Sequence, residues 1–124
     1  ELLEAIISHT DPNFTNVIEF RHISWWRKEV IELLAQNNIT FCGVSFPGLI
    51  NDVMINSTTP YYRFHGVPKL YYSSYDDDFL NKVVKELHDS KKAKQVFIYF
   101  NNTAAAAALQ NAKSVQELTE SYGW

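Results

Sequence analysis

A chain of 124 residues, 46% hydrophobic and 15% aromatic, has the apolar mass for one globular core and argues against several domains. Its net charge of −3 argues against a partner built on a phosphate backbone, and no run reaches the ~18 apolar residues of a membrane span. One cysteine, Cys42, excludes an internal disulfide, and the start Glu1-Leu2-Leu3-Glu4 lacks the basic residues of a secretory signal, so the expected address is the cytoplasm.

Leu2, Leu3, Ile6 and Ile7 share one stripe, which predicts a helix over residues 2–9. Asp11-Pro12-Asn13 breaks it, and Asn16–Phe20 reads as a first strand. Ser24 is a candidate cap for a helix from Trp26 to Gln36, striped by Trp26, Val30, Leu33 and Leu34. Ile39–Val44 is a second strand, after which Pro47 and Gly48 open an irregular section with a short helix over Leu49–Met54. Cys42 sits inside that apolar strand and reads as an inert buried thiol. Tyr61–His65 is a third strand. Ser74 or Asp76 caps the next helix, whose stripe of Phe79, Leu80, Val83, Val84 and Leu87 is the cleanest in the chain. Acids at its start and His88 and Lys91 near its end suit the helix dipole. Gln95–Phe100 is a fourth strand, and a last helix runs from Thr103 to Tyr122. Its opening alanines, Ala104–Ala108, are strong helix formers that let a helix pack closely on a sheet. Four Asn-x-Ser/Thr triplets, at Asn13, Asn38, Asn56 and Asn101, carry no weight without a secretory signal.

Strands alternating with helices demand parallel pairing through right-handed crossovers, so the class is α/β. Four such strands make either a small open sheet or half of a (β/α)8 barrel. Strand parity decides between them. Val17, Glu19 and Arg21 share a face, as do Tyr61, Arg63 and His65, and Gln95, Phe97, Tyr99 and Asn101. The opposite faces (Ile18 and Phe20; Tyr62 and Phe64; Val96, Ile98 and Phe100) are apolar throughout. One face per strand thus suits covering helices, and the other turns polar toward its C-terminal end. An open doubly wound sheet wants both faces apolar, whereas a barrel gathers polar groups at its C-terminal mouth.

Three segments, "VIEFRHISWW" (Val17–Trp26), "YYRFHG" (Tyr61–Gly66) and "FIYFNNT" followed by "QNA" (Phe97–Thr103, Gln110–Ala112), resemble the signature stretches of the DUF72 family, the YecE-like proteins. The resemblance implies a TIM-barrel-like fold about twice this length. The chain would then be a single partial domain over 1–124, the C-terminal half of such a barrel, with four strands and four to five helices. The family carries no settled activity, so the resemblance brings a fold and no reaction. Relatives tend to carry glycines where this chain has Ala104–Ala108.

Parity alone brings Arg21, Arg63 and His65 to one rim, with Glu19 and Asn101 beside them. Arginine's planar fork suits a carboxylate or phosphate, and histidine titrates near neutrality. The expectation is an enzyme, or a former one, for a small anionic metabolite. His65 and Glu19 are its candidate catalytic groups, and Arg21, Arg63, Tyr99, Asn101 and Asn102 its candidate ligand-binding residues. Asn101, Asn102 and Thr103 would open a helix whose amides face the anion. The alternative is a non-catalytic binding or interaction module, with nucleic acid disfavoured by the net charge. The tyrosines at 71, 72 and 75 and the Trp25-Trp26 pair could then form a stacking rim, though each also suits a core. Pairing of Glu19 with an arginine is expected with or without a ligand, since a lone buried charge is costly. Only Glu19 and His65 are metal-ligand types at the mouth, and flanking arginines repel a cation, so no metal is expected and no cofactor is indicated. Four strands alone leave two open edges, which calls for a second copy or the missing N-terminal half of the barrel.

Overall fold

The computed structural model describes residues 1–124 as alternating helices and parallel strands. In chain order these are α1 (Leu2–Ser8), β1 (Asn16–Ile18), α2 (Lys28–Gln36), β2 (Ile39–Phe41), β3 (Gly43–Ser45), β4 (Tyr61–Phe64), α3 (Asp77–Asp89), β5 (Phe97–Phe100) and α4 (Ala107–Ser121), with short 3₁₀ turns at Ile23–Trp25 and Ala104–Ala106. β1 pairs with β2, and β3, β4 and β5 form a second parallel ladder in that order.

The second predicted strand is therefore two, β2 and β3, hinged at Cys42. Asn56 supplies the reason. Its Oδ1 accepts from the Phe41 amide at 2.9 Å and its Nδ2 donates to the Ile39 carbonyl at 3.0 Å, so a buried side chain fills the edge of β2 that β4 would otherwise occupy. Past Cys42 the chain shifts to β4, pairing Val44 with Arg63 and Ser45 with Phe64.

The outward faces bury two apolar clusters under the helices. Leu3, Phe20, Val30, Leu34, Ile39 and Phe41 pack around α2. Tyr62, Phe64, Tyr75, Leu80, Val83, Val84, Leu87 and Val115 pack between β4, α3 and α4. Leu80, Val83, Val84 and Leu87 of the α3 stripe are buried as the spacing predicts, each contributing roughly 1.5–3 kcal/mol, and Phe79 is partly buried beside them. Asp76 caps it, its Oδ1 accepting from the Phe79 amide at 2.8 Å.

Three predicted helix features differ. No helix forms over Leu49–Met54: a turn at Phe46–Leu49 leads into irregular chain, held where Tyr62 Oη donates to the Asn51 carbonyl at 2.6 Å. Helix α2 begins at Lys28 rather than Trp26, because Ser24 is spent in a 3₁₀ turn whose amide and hydroxyl both meet His22 Nδ1. The last helix begins at Ala107 rather than Thr103. Ala105 and Ala106 take left-handed φ values of 52° and 61°, which α-helix excludes.

Candidate functional site

The ladder continues past the assigned strand ends and fixes the polar residues. The His65 amide donates to the Ser45 carbonyl at 2.9 Å and the Asn101 amide to the Phe64 carbonyl at 2.7 Å, so both extend their strands by one residue. Cys42 N–H donates to the Ile18 carbonyl at 2.9 Å, placing Glu19 one residue beyond the β1 ladder. Alternation then turns Glu19, Arg63, His65 and Asn101 to the inner face together.

Glu19 is the centre of what results. Its Oε2 accepts from Arg63 Nη1 at 2.7 Å, its Oε1 accepts from Arg21 Nε, and His65 Nε2 lies 3.1 Å from the same Oε1. The histidine contact falls short of hydrogen-bond alignment, and Nε2 stays buried without a formed bond. Burial by itself pushes the Glu19 carboxyl up, but His65 and Arg63 outweigh it and hold it at about 2. Two guanidiniums against one carboxylate leave an excess of one positive charge. Arg21 (side chain 46% exposed) and Arg63 (30%) both reach solvent, so that excess is accessible.

His65 is fully buried. Phe46 meets its ring edge-on at 5.5 Å, and Asn101 Nδ2 lies 3.4 Å from its Nδ1. Phe46 also lies under the Arg21 guanidinium at 4.9 Å, so one ring touches two members of the cluster. Beside the carboxylate is a cavity of about 190 Å³ lined by Val17, Glu19, Cys42, Tyr61 and Arg63. Cys42 does no chemistry there, since burial, followed by the Glu19 charge, pushes its thiol up to about 12.

Two expected site residues stand apart from the cluster. Tyr99 shares the Arg63 face by register but stacks on Tyr61, at 5.0 Å between centroids, within a row that continues to Phe97. Asn102 is buried on the other side of the chain, where its Nδ2 donates to the Ser73 carbonyl at 3.0 Å and to Asn111 Oδ1 at 2.9 Å. Asn102 braces a loop, and the expected helix opening at Asn101–Thr103 is absent. The Asn101 amide is spent on Phe64 and the Ala104 amide on Tyr71, so neither is free for an anion.

Sequence reasoning missed Phe46 and Asn111. Phe46 precedes Pro47 in irregular chain, where no periodicity points it anywhere. Asn111 is buried; its Oδ1 accepts from the Tyr75 amide and its Nδ2 donates to the Tyr75 carbonyl at 3.0 Å. Its spacing of four from Ala107 and Val115 placed it on the buried stripe of α4, which was the available signal. Tyr75 Oη in turn bonds Ser45 Oγ and accepts from the Gly66 amide, both at 2.8 Å, steadying the backbone beside His65.

The three signature segments therefore meet in one place: the first supplies Glu19 and Arg21, the second Arg63 and His65, the third Asn101 with its Asn102–Asn111 brace. The family model for DUF72, described as a protein of unknown function, matches residues 1–123. The chain belongs to the DUF72 family. A solved DUF72 family protein of Thermotoga maritima superposes with a TM-score of 0.85 at 26% identity, covering 95% of this chain and 50% of the other. A DUF72 family protein of Enterococcus faecalis, solved twice, gives TM-scores of 0.80 and 0.82 at 18% and 20% identity, with 51% and 53% of its length covered. This DUF72 chain thus spans about half the length of the solved relatives it matches, and its parallel α/β architecture is theirs. No curated protein matches it. No helix is long and apolar enough to cross a membrane.

Proposed function

We propose that this DUF72 chain binds a small anionic metabolite, bearing a carboxylate or a phosphate, at the C-terminal end of its parallel strands. The observation behind this is the convergence of Arg21, Arg63 and His65 on a single acid with one positive charge in excess. The location supports it, since parallel α/β sheets and barrels place ligands at that end of the strands. Arg21 and Arg63 hold the anion. Glu19 orients both arginines and passes protons, because buried His65 reaches a ligand only by way of that carboxylate. Asn101 keeps the imidazole in place. A buried, unpaired Cys42 fits a reducing compartment such as the cytoplasm.

Equilibrium dialysis against inorganic phosphate and acetate tests this reading. The protein retains one or both ions near 1:1, and Arg63→Gln or the more exposed Arg21→Gln loses that retention. Equal retention by all three proteins would refute it.

A second reading, a non-catalytic interaction module, is favoured by the inner face. Tyr61, Phe97 and Tyr99 form an aromatic row there, Tyr99 being 46% exposed, and β5 has no neighbour on its outer edge. The partner that fits is another parallel β-α half, which would cover the row and pair with the edge.

A further inference from the structure

The donors at the mouth already surround a carboxylate, and it is the protein's own. Arg21 Nε donates to Oε1 of Glu19 and Arg63 Nη1 to Oε2, with His65 Nε2 near Oε1 but unbonded, an arrangement made for two oxygens of a planar group. The adjoining cavity is otherwise lined by Val17, Cys42 and Tyr61, so Arg63 is its one cation, and a dianionic phosphate is matched there less well than a singly charged carboxylate. Glu19 stands beyond the last paired residue of β1, so its side chain can leave without costing a ladder bond. The cavity of about 190 Å³ beside it has room for the body of a compact molecule.

From this geometry we infer that Glu19 is an internal stand-in for the ligand, that the natural ligand presents a carboxylate, and that binding exchanges one carboxylate for the other. The inference rests on the anion-site reading above, confines the role given there to Glu19 to the unliganded state, and adds the ligand class and the means of control. Glu19 in place fills the seat between the guanidiniums and leaves only their outer nitrogens to other anions. A ligand must compete with a tethered group, so apparent affinity falls by the fraction of molecules in which Glu19 has swung away. The unspent guanidinium nitrogens of Arg21 and Arg63 give the incoming carboxylate a first foothold before the exchange.

Acetate and inorganic phosphate are titrated separately, at constant ionic strength, into wild type, Glu19→Ala and Glu19→Gln. The His65 ring resonances report occupancy. Glu19→Gln keeps the side-chain volume, so the result does not depend on whether the alanine variant folds. If Glu19 is displaced in a tenth of molecules or fewer, the variants bind acetate about tenfold tighter than wild type or better. They also prefer acetate to phosphate. Acetate binding that is unchanged or weaker in the variants overturns the stand-in while leaving the anion site standing. Variants that prefer phosphate overturn the carboxylate assignment. Failure of either ion to bind any of the three proteins removes the anion site and this inference with it.

Discussion

Glu19 is the residue on which the electrostatics turn. Its folded pKa of about 2 lies below the ordinary 4.5, so it contributes stability that is fully present above pH 4.5 and lost as pH falls toward 2. Burial opposes that contribution, and its size is on the order of 3 kcal/mol with the carboxylate mostly shielded. Urea midpoints of the wild type should therefore drop between pH 4.5 and 3 more steeply than those of Glu19→Gln. Parallel profiles would mean that the ion pairs hold nothing together. At this scale much was legible in the sequence. Alternation alone put Glu19, Arg63, His65 and Asn101 on one face, because a strand admits only two. It gave no means of seeing that Asn102 follows a bend in the chain, since periodicity stops where the ladder stops.

Among the elements, the turn into α4 departs most from what its composition suggests. Alanine runs favour helix, yet Ala105 and Ala106 are held left-handed while the Ala104 amide is tied to Tyr71 and that of Ala108 to Asn102. Tertiary hydrogen bonds outweigh propensity here, which sums to only tenths of a kcal/mol per residue. Ala106→Gly removes the Cβ penalty of that conformation and should stabilise the protein by about 1 kcal/mol in chemical denaturation, despite glycine's greater chain entropy. A loss of stability would show the conformation misassigned. Asn111→Ala acts in the opposite sense. It strands the Tyr75 amide and the Asn102 side chain in a buried place, at a cost of roughly 2–4 kcal/mol. A change under about 0.5 kcal/mol would mean that water replaces the brace. The helix α3 was readable almost in full, because apolar spacing, cap and end charges agree. The β2–β3 break was not, because it is caused by the side chain of Asn56, fifteen residues away from the amide it occupies.

For the whole molecule, parity favoured half of a barrel over an open doubly wound sheet, and the chain shares its parallel α/β architecture with a solved DUF72 protein of which it covers half. The same reasoning applies to the inner face. An aromatic row with a bare edge strand beside it is poorly suited to water, so residues 1–124 alone should associate through it. Sedimentation at two concentrations would show self-association that Tyr99→Lys weakens. A monomer at both would place that face in solvent. The sequence reading left a second copy and an N-terminal half as alternatives for covering it, since a partner's residues leave no trace in this chain's periodicity. Glu19, Arg21, Arg63 and His65 all belong to residues 1–124, so the proposed anion site can be tested on this chain. Crystals grown with bromide replacing chloride test it most directly through anomalous scattering. The arrangement predicts a bromide peak against the guanidiniums of Arg21 and Arg63, over Glu19. Bromide peaks elsewhere on the surface with none at that position would contradict an accessible excess of positive charge there.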